Sequence, residues 1–362
     1  MNAYPPDDEE DENGVVRPPV NDVVQVLDAR GDLILVVGQE RKEFLVCSRT
    51  LRRASKVFDD LYSRRVEGQD GHERLDLSHI GVLPLHLVLE IIHGNHAKVN
   101  PHLTNKETLH DVLVVTHHFS MTGCLAPIAV KWLKKVYDKE PSGFHNIAVQ
   151  LWITHQLGHL GCLKQTIYSM VQGGRLNSRG ELIGQGATDN DEYRRFPTLS
   201  LLGVLEQVKE CRSRVVAHLV NTVRDAVRNL IESPRMPAAM QTNGPAPKPT
   251  VCQVRQESPT RRRQCDSRML GAFQRALFDQ NWDKVDKPAS SPYSLHRRIN
   301  EVARQTLKEY DPPTDSHKHC GPFGRNGLEP LVDIVKREVD AIPFDERDFM
   351  RRGKMMGFPV GA

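Results

Sequence analysis

Residues 28–62 hold the sharpest change of hydrophobic period in the chain. Residues 33–37 are an unbroken apolar run, 38–43 form a polar turn containing Gly38, and 44–46 are a second short apolar run. Beyond it the period changes: Leu51, Ala54, Val57, Phe58, Leu61 and Tyr62 mostly recur at steps of three and four, which marks one face of a helix. The pattern predicts a hairpin whose open face is covered by an amphipathic helix. Residues 75–77 add a third strand after a loop rich in Gly and acidic residues, and 23–27 form a short apolar run before the hairpin.

Helical periods dominate from there on. Pro84 opens a run whose apolar face is Leu85, Val88, Leu89, Ile91 and Ile92, and Gly94 and Asn95 stop it. Thr104 stands three residues before Glu107, the spacing of a capping box, so it is the expected start of the helix carrying Leu109, Val112, Leu113 and Val115. Another helix follows over 125–136. Residues 141–143 break the pattern. Residues 147–171 are helical, with possible breaks at Gly158 and Gly161, and 173–190 read as a Gly-rich loop. A long helix or broken pair over 198–231 needs cover for its stripe, and 147–171 is the obvious partner. Five prolines mark 233–250 as a linker. Three helical runs come after it, over 268–278, 294–310 and 327–339, and the last twenty residues read as a poorly ordered tail.

Length and charge narrow the picture. A chain of 362 residues, 39% hydrophobic and 26% charged, has material for one or two cores. Net charge is +3, so no overall case for nucleic acid exists. Residues 251–310 hold 12 Lys/Arg against 7 Asp/Glu, a local excess that includes Arg261, Arg262 and Arg263 in an expected loop. Three arginines there read as a solvated patch or a nuclear-import signal. Asp7, Asp8, Glu9, Glu10, Asp11 and Glu12 make an acidic run inside a Pro-containing segment over 1–20 that reads as disordered. No stretch has the apolar length of a membrane span, and the acidic N-terminus predicts no secretory signal. The seven cysteines are then expected as reduced thiols or metal ligands in nucleus or cytoplasm.

At Asp32, Leu33–Val37, Phe44, Leu45, Ser48, Leu51, Ser55 and Phe58 the sequence resembles the BTB/POZ family. The family's usual His before Ser48 is Cys47 here. The resemblance spans roughly residues 22–138, and beyond that there is likeness to the long fungal members with a helical C-terminal extension. It implies an α+β fold, a small sheet followed by helical hairpins and then a mostly helical extension. The implied organisation is an acidic tail at 1–20, a BTB/POZ-like domain at 22–139, a helical extension at 141–232, the linker at 233–250, a helical unit at 251–342 and a tail at 343–362.

The resemblance also implies function by binding. A strand near Val23, Val24 and Val26 pairs with a second subunit in the family, or is a plain edge strand. Many members bind cullin scaffolds through an apolar-x-Glu element, matched here by Val66, Glu67 and Gly68; Gly68 stands where Glu is expected, which argues against a cullin. Leu61 and Tyr62 complete the candidate partner-binding set. No Kelch repeat, MATH domain or zinc-finger array names a substrate or DNA site.

The strongest chemical constellation is Cys252, Cys265, His317 and Cys320. Three thiols and an imidazole suit a closed tetrahedral zinc site of structural type. His317 and Cys320 are separated by two residues, a chelating spacing, while Cys252 and Cys265 are separated by twelve and no CxxC is present. The long fungal members carry similar Cys and HxxC elements. The alternatives are a smaller site that uses His319, or unrelated loop residues. Gly184 and Gly186 lack the Lys-Ser/Thr of a phosphate loop. No Ser-His-Asp order, HExxH or carboxylate pair is present. Cys47 is expected as a buried thiol; a Cys-dependent enzyme using Cys47 or Cys320 is the least favoured reading. The preferred one is a non-enzymatic interaction module, with a cullin adaptor and a transcription-associated nuclear regulator as alternatives.

Overall fold

The computed structural model describes residues 24–64, 66–67, 71–138, 141, 143–184, 193, 196–232, 252, 254, 258–323 and 327–359. The segments 1–20 and 233–250, together with Val23 and Gly68, lie outside the described residues. The chain divides into two units, one of residues 1–137 and 353–359, the other of 138–352 and 360–362.

The first unit is built on a five-stranded sheet: β1 (Gln25–Val26), β2 (Leu33–Val37), β3 (Lys42–Val46), β4 (Val66–Glu67) and β5 (Glu73–Leu77), in the order β1-β3-β2-β5-β4. The hairpin pairs Leu33 with Val46 and Val37 with Lys42, antiparallel. All five side chains of β2 are buried, as an unbroken apolar run requires of a central strand covered on both faces. On β5 only Leu75 and Leu77 are buried and Asp76 points out, the alternation of a half-covered strand. Gly38 turns the hairpin at φ +71°, where an added Cβ would lie 2.5 Å from the Val82 side chain.

The helical face expected over 51–62 is two helices, α1 (Ser48–Ala54) and α2 (Lys56–Tyr62). Ser55 divides them. It has extended backbone, its hydroxyl accepts from the Phe58 N–H at 3.1 Å, and it donates to the Phe119 carbonyl. The hydrophobic spacing runs on because Leu51 and Phe58 both enter the core. Then come α3 (Val82–Ile92), α4 (His96–Val99), α5 (Lys106–His118) and α6 (Ala126–Val136). The capping box expected from Thr104 is not formed. A 3-10 turn occupies Asn100–Thr104, and Asn105 caps α5 by accepting from the Thr108 N–H at 2.9 Å.

The second unit is helical: α7 (Phe144–Leu157), α8 (Leu160–Gly173), α9 (Pro197–Ser200), α10 (Val204–Glu232), α11 (Pro259–Asp279), α12 (Pro292–Glu309), α13 (Leu331–Asp340) and α14 (Glu346–Met355), the last running into the 353–359 segment. Gly158, at φ +73°, ends α7 and lets α8 return. The expected loop at 173–190 contains a two-stranded ribbon, β6 (Arg175–Leu176) and β7 (Leu182–Ile183). On α10 the stripe Val208, Cys211, Val215, Leu219, Val223, Ala226 and Leu230 is buried. Its cover is wider than the 147–171 helices, since α8, α11, α12 and α13 all pack on it. The stretches before and after 233–250 therefore share one core.

Two other expectations are corrected. Arg261, Arg262 and Arg263 sit on the first turns of α11, not in a loop, because Pro259 begins the helix and the Ser258 hydroxyl caps it. Residues 343–358 are not a tail, since α14 forms there and Phe349, Met356 and Phe358 are buried. Among the described residues no helix is long and apolar enough to cross a membrane.

Candidate metal centre and interaction edges

Cys252, Cys265, His317 and Cys320 converge in the second unit. Their ligand atoms all lie within 4.8 Å of one another and all four residues are buried. The fold brings them from three places. Cys265 is on α11, Cys252 lies just before that helix, and His317 and Cys320 flank the end of a 3-10 turn after α12. The Cys320 N–H donates to the His317 carbonyl at 3.0 Å, which fixes the two side chains on one side of the turn. His319 is exposed and outside the group, so the alternative set that used it is not formed.

The distances suit a common ligand. His317 Nδ1 is 3.2 Å from Cys252 Sγ and 3.9 Å from Cys320 Sγ. Zinc–sulfur bonds of about 2.3 Å and zinc–nitrogen bonds of about 2.0 Å in a tetrahedron put such donors roughly 3.5–3.8 Å apart. His317 Nε2 is buried with no hydrogen-bond partner among the described residues, so Nδ1 is the nitrogen turned to the sulfurs. Burial pushes the Cys252 thiol up to about 11. A hydrogen bond with Cys320, and then burial, raise Cys265 well above an ordinary thiol. The Cys252 and Cys265 thiols are therefore held neutral by themselves, and a bound cation would reverse this, since a coordinating thiol is deprotonated outright. Four protein donors leave no open position, which is the donor set of a structural site.

Sequence reasoning missed Tyr310. Its hydroxyl lies 2.8 Å from Cys265 Sγ, and burial, then that contact, raises its pKa above that of an ordinary phenol. A buried hydroxyl in that position would orient the Cys265 sulfur if it ligated a metal. Tyr310 caps the end of α12, a position that carries no motif to find it by.

The candidate partner-binding residues separate into two groups at opposite edges of the sheet, because β1 and β4 are its outermost strands. At one edge Val24 is half-buried and Val26 is 53% exposed. At the other, Val66 is 69% exposed. On α2, Leu61 and Tyr62 are half-buried, and the Tyr62 hydroxyl donates to Glu73 on β5 at 2.7 Å. Cys47 is half-buried rather than buried, since it stands at the N-terminal end of α1, where its backbone N–H donates to His93 Nε2 at 3.3 Å. Beside it the Asp32 carboxylate accepts from both the N–H and the hydroxyl of Ser48, at 2.7 and 2.6 Å. Burial raises the Asp32 carboxyl, but these bonds outweigh it and hold the group below its ordinary value. The resemblance at Asp32 and Ser48 is thus one local structure, a carboxylate fixing the start of α1 to the start of β2.

Comparison with known proteins bears on the first unit. Residues 27–130 match the sequence model of the BTB/POZ domain family. No curated protein and no solved structure matches the chain. The matched range begins just after β1 and covers β2–β5 and α1–α5 and part of α6, with the helical extension beyond it. That architecture is the expected α+β class, and the domain's class of function is protein–protein interaction. The chain carries a BTB/POZ domain over residues 27–130.

Proposed function

We propose that this is a non-enzymatic interaction protein that self-associates through the β1 edge of the sheet that its BTB/POZ domain shares. The observation that carries the reading is Val26, an apolar side chain 53% exposed on an outermost strand. Unpaired edge backbone with apolar side chains favours addition of another strand. Light scattering on the purified protein is expected to give a dimer, and Val26→Lys a monomer. A strictly monomeric wild type overturns self-association.

The second unit, in the same reading, is a protein-binding helical extension held by one structural zinc ion at Cys252, Cys265, His317 and Cys320. The buried four-donor arrangement supports this. Elemental analysis of the intact protein is expected to find one zinc per chain, lost in Cys265→Ser. A second reading, a cullin adaptor, is favoured by the exposure of Val66 at the β4 edge and opposed by Gly68 in the sequence. Co-purification with a cullin, lost in Val66→Lys, would establish it; a clean absence of cullin removes it.

A further inference from the structure

The proposed zinc site carries a charge that its four donors do not balance. A zinc ion held by three thiolates and a neutral imidazole has one net negative charge. The site is buried, and a buried charge is costly unless hydrogen bonds or opposite charges meet it. The charges that bear most on Cys252 and Cys265 come from Cys320, Asp266 and Cys252 itself, all negative when ionised. Hydrogen-bond donors must then do the balancing. Cys252 Sγ accepts from the Val254 backbone N–H. Cys265 is hydrogen-bonded to the two neighbouring thiols and to the Tyr310 hydroxyl. Ligation strips the protons that the thiols share, so of these bonds to Cys265 the one that survives is the bond from Tyr310.

The phenol is held in place by contacts that do not involve the sulfurs. Tyr310 is 8% exposed, and its N–H donates to the Thr306 carbonyl at 2.9 Å, closing the last turn of α12. Arg268 on α11 donates to the carbonyl of Asp311 at 3.1 Å and to its carboxylate at 2.9 Å. Arg275, two turns further along α11, donates to Glu309 at 3.3 Å. The end of α12 is thereby tied alongside the helix that carries Cys265, and the hydroxyl stands 2.8 Å from Cys265 Sγ. A phenol keeps its proton at neutral pH, and a thiolate has none to give, so the bond would run from Tyr310 oxygen to Cys265 sulfur. A donor that meets an ionised acceptor makes a bond roughly twice as strong as a neutral pair does.

We infer that Tyr310 is a positioning residue of the metal site, whose hydroxyl hydrogen-bonds the Cys265 thiolate and draws off part of the site's excess negative charge. This rests on the zinc reading above. The full chain loaded with cobalt(II) in place of zinc tests it, because the thiolate-to-cobalt charge-transfer band reports the electron density on sulfur. Tyr310→Phe removes one oxygen and leaves the ring. It is expected to keep one metal ion per chain and the tetrahedral cobalt spectrum, to move the charge-transfer band to longer wavelength, and to weaken zinc about tenfold in competition with a chelator. A role in packing alone would leave the band where it is. Tyr293→Phe, at a tyrosine 46% exposed on the same helix, is the control and matches wild type. Wild type grown with 3-fluorotyrosine, a more acidic phenol and stronger donor, is expected to move the band to shorter wavelength, and it decides the matter if Tyr310→Phe does not load. An unmoved band in the loaded Tyr310→Phe protein, or in the fluorotyrosyl protein, overturns the inference and leaves the metal site standing. A wild type that takes up neither zinc nor cobalt overturns both.

Discussion

Removing the proposed zinc ion from the second unit is the sharpest perturbation. The proposed ligands are deeply buried: Cys265 and His317 are 0% exposed, Cys320 1% and Cys252 2%. They join α11 to the chain after α12, and the site sits inside the single core of the unit. Without the ion, three thiols and a histidine whose Nε2 has no hydrogen-bond partner among the described residues stay buried. The loss follows from linkage: an ion held at a thousandfold above its dissociation constant contributes about 4 kcal/mol. For a unit of 150–250 residues, each kcal/mol moves the melting temperature by roughly 2–4 °C. Chelation is therefore expected to lower the melting temperature of the second unit by about 8–16 °C, reversed by added zinc. The assay is scanning calorimetry with a high-affinity chelator, paired with elemental analysis. Cys265→Ser should reproduce the chelated value and be insensitive to chelator, whereas His319→Ala, an exposed residue outside the site, should behave as wild type. A purified protein without stoichiometric metal, and with a melting curve indifferent to chelator and zinc, refutes the reasoning.

Three further outcomes follow from individual contacts. Phe58→Ala removes a ring 1% exposed and stacked 4.3 Å from Phe119, and is expected to destabilise the BTB/POZ domain by about 3–5 kcal/mol in denaturant titration. Asp32→Asn keeps one acceptor oxygen where Ser48 uses two; because the carboxylate is exposed and screened, the expected cost is about 1 kcal/mol. The folded carboxyl lies below its unfolded value, so its contribution is complete at neutral pH and is lost as pH falls through that depressed value. Acid titration of stability should show this step in wild type and not in Asp32→Asn. Arg212→Met strands the carbonyls of Gly174, Pro288 and Ser290 and is expected to cost about 3 kcal/mol or more by thermal melt; Arg212→Lys rescues only part, since an ammonium cannot span all three carbonyls.

Period and residue type carried much of the fold in advance. The apolar run of β2 could only be a covered strand, and the stripe of α10 could only face a core. Other features were illegible for identifiable reasons. Ser55 splits α1 from α2 without disturbing the three-four spacing, so the break leaves no trace in the hydrophobic pattern. Thr104 and Asn105 are adjacent cap residues, and a preceding 3-10 turn decides between them. The residue types of the metal centre were visible, but His317 and His319 both neighbour Cys320, and only the turn at Asp315–His317 puts one inside and the other out. Terminal position alone makes 343–358 read as a tail, yet Phe349, Met356 and Phe358 are each buried.

The first unit is not one continuous length of chain, since residues 353–359 belong to it. Gly123 lies where a side chain would touch Met355, and Gly357 lies where one would touch Val130, so this short segment is seated on the region of α6. During synthesis the BTB/POZ domain leaves the ribosome first, and domains generally fold as units in that order. Here the last segment of the first unit is made only after residues 138–352. The earlier domain must wait with the ground beneath Met355 bare, which ties its completion to the successful synthesis of everything that lies between.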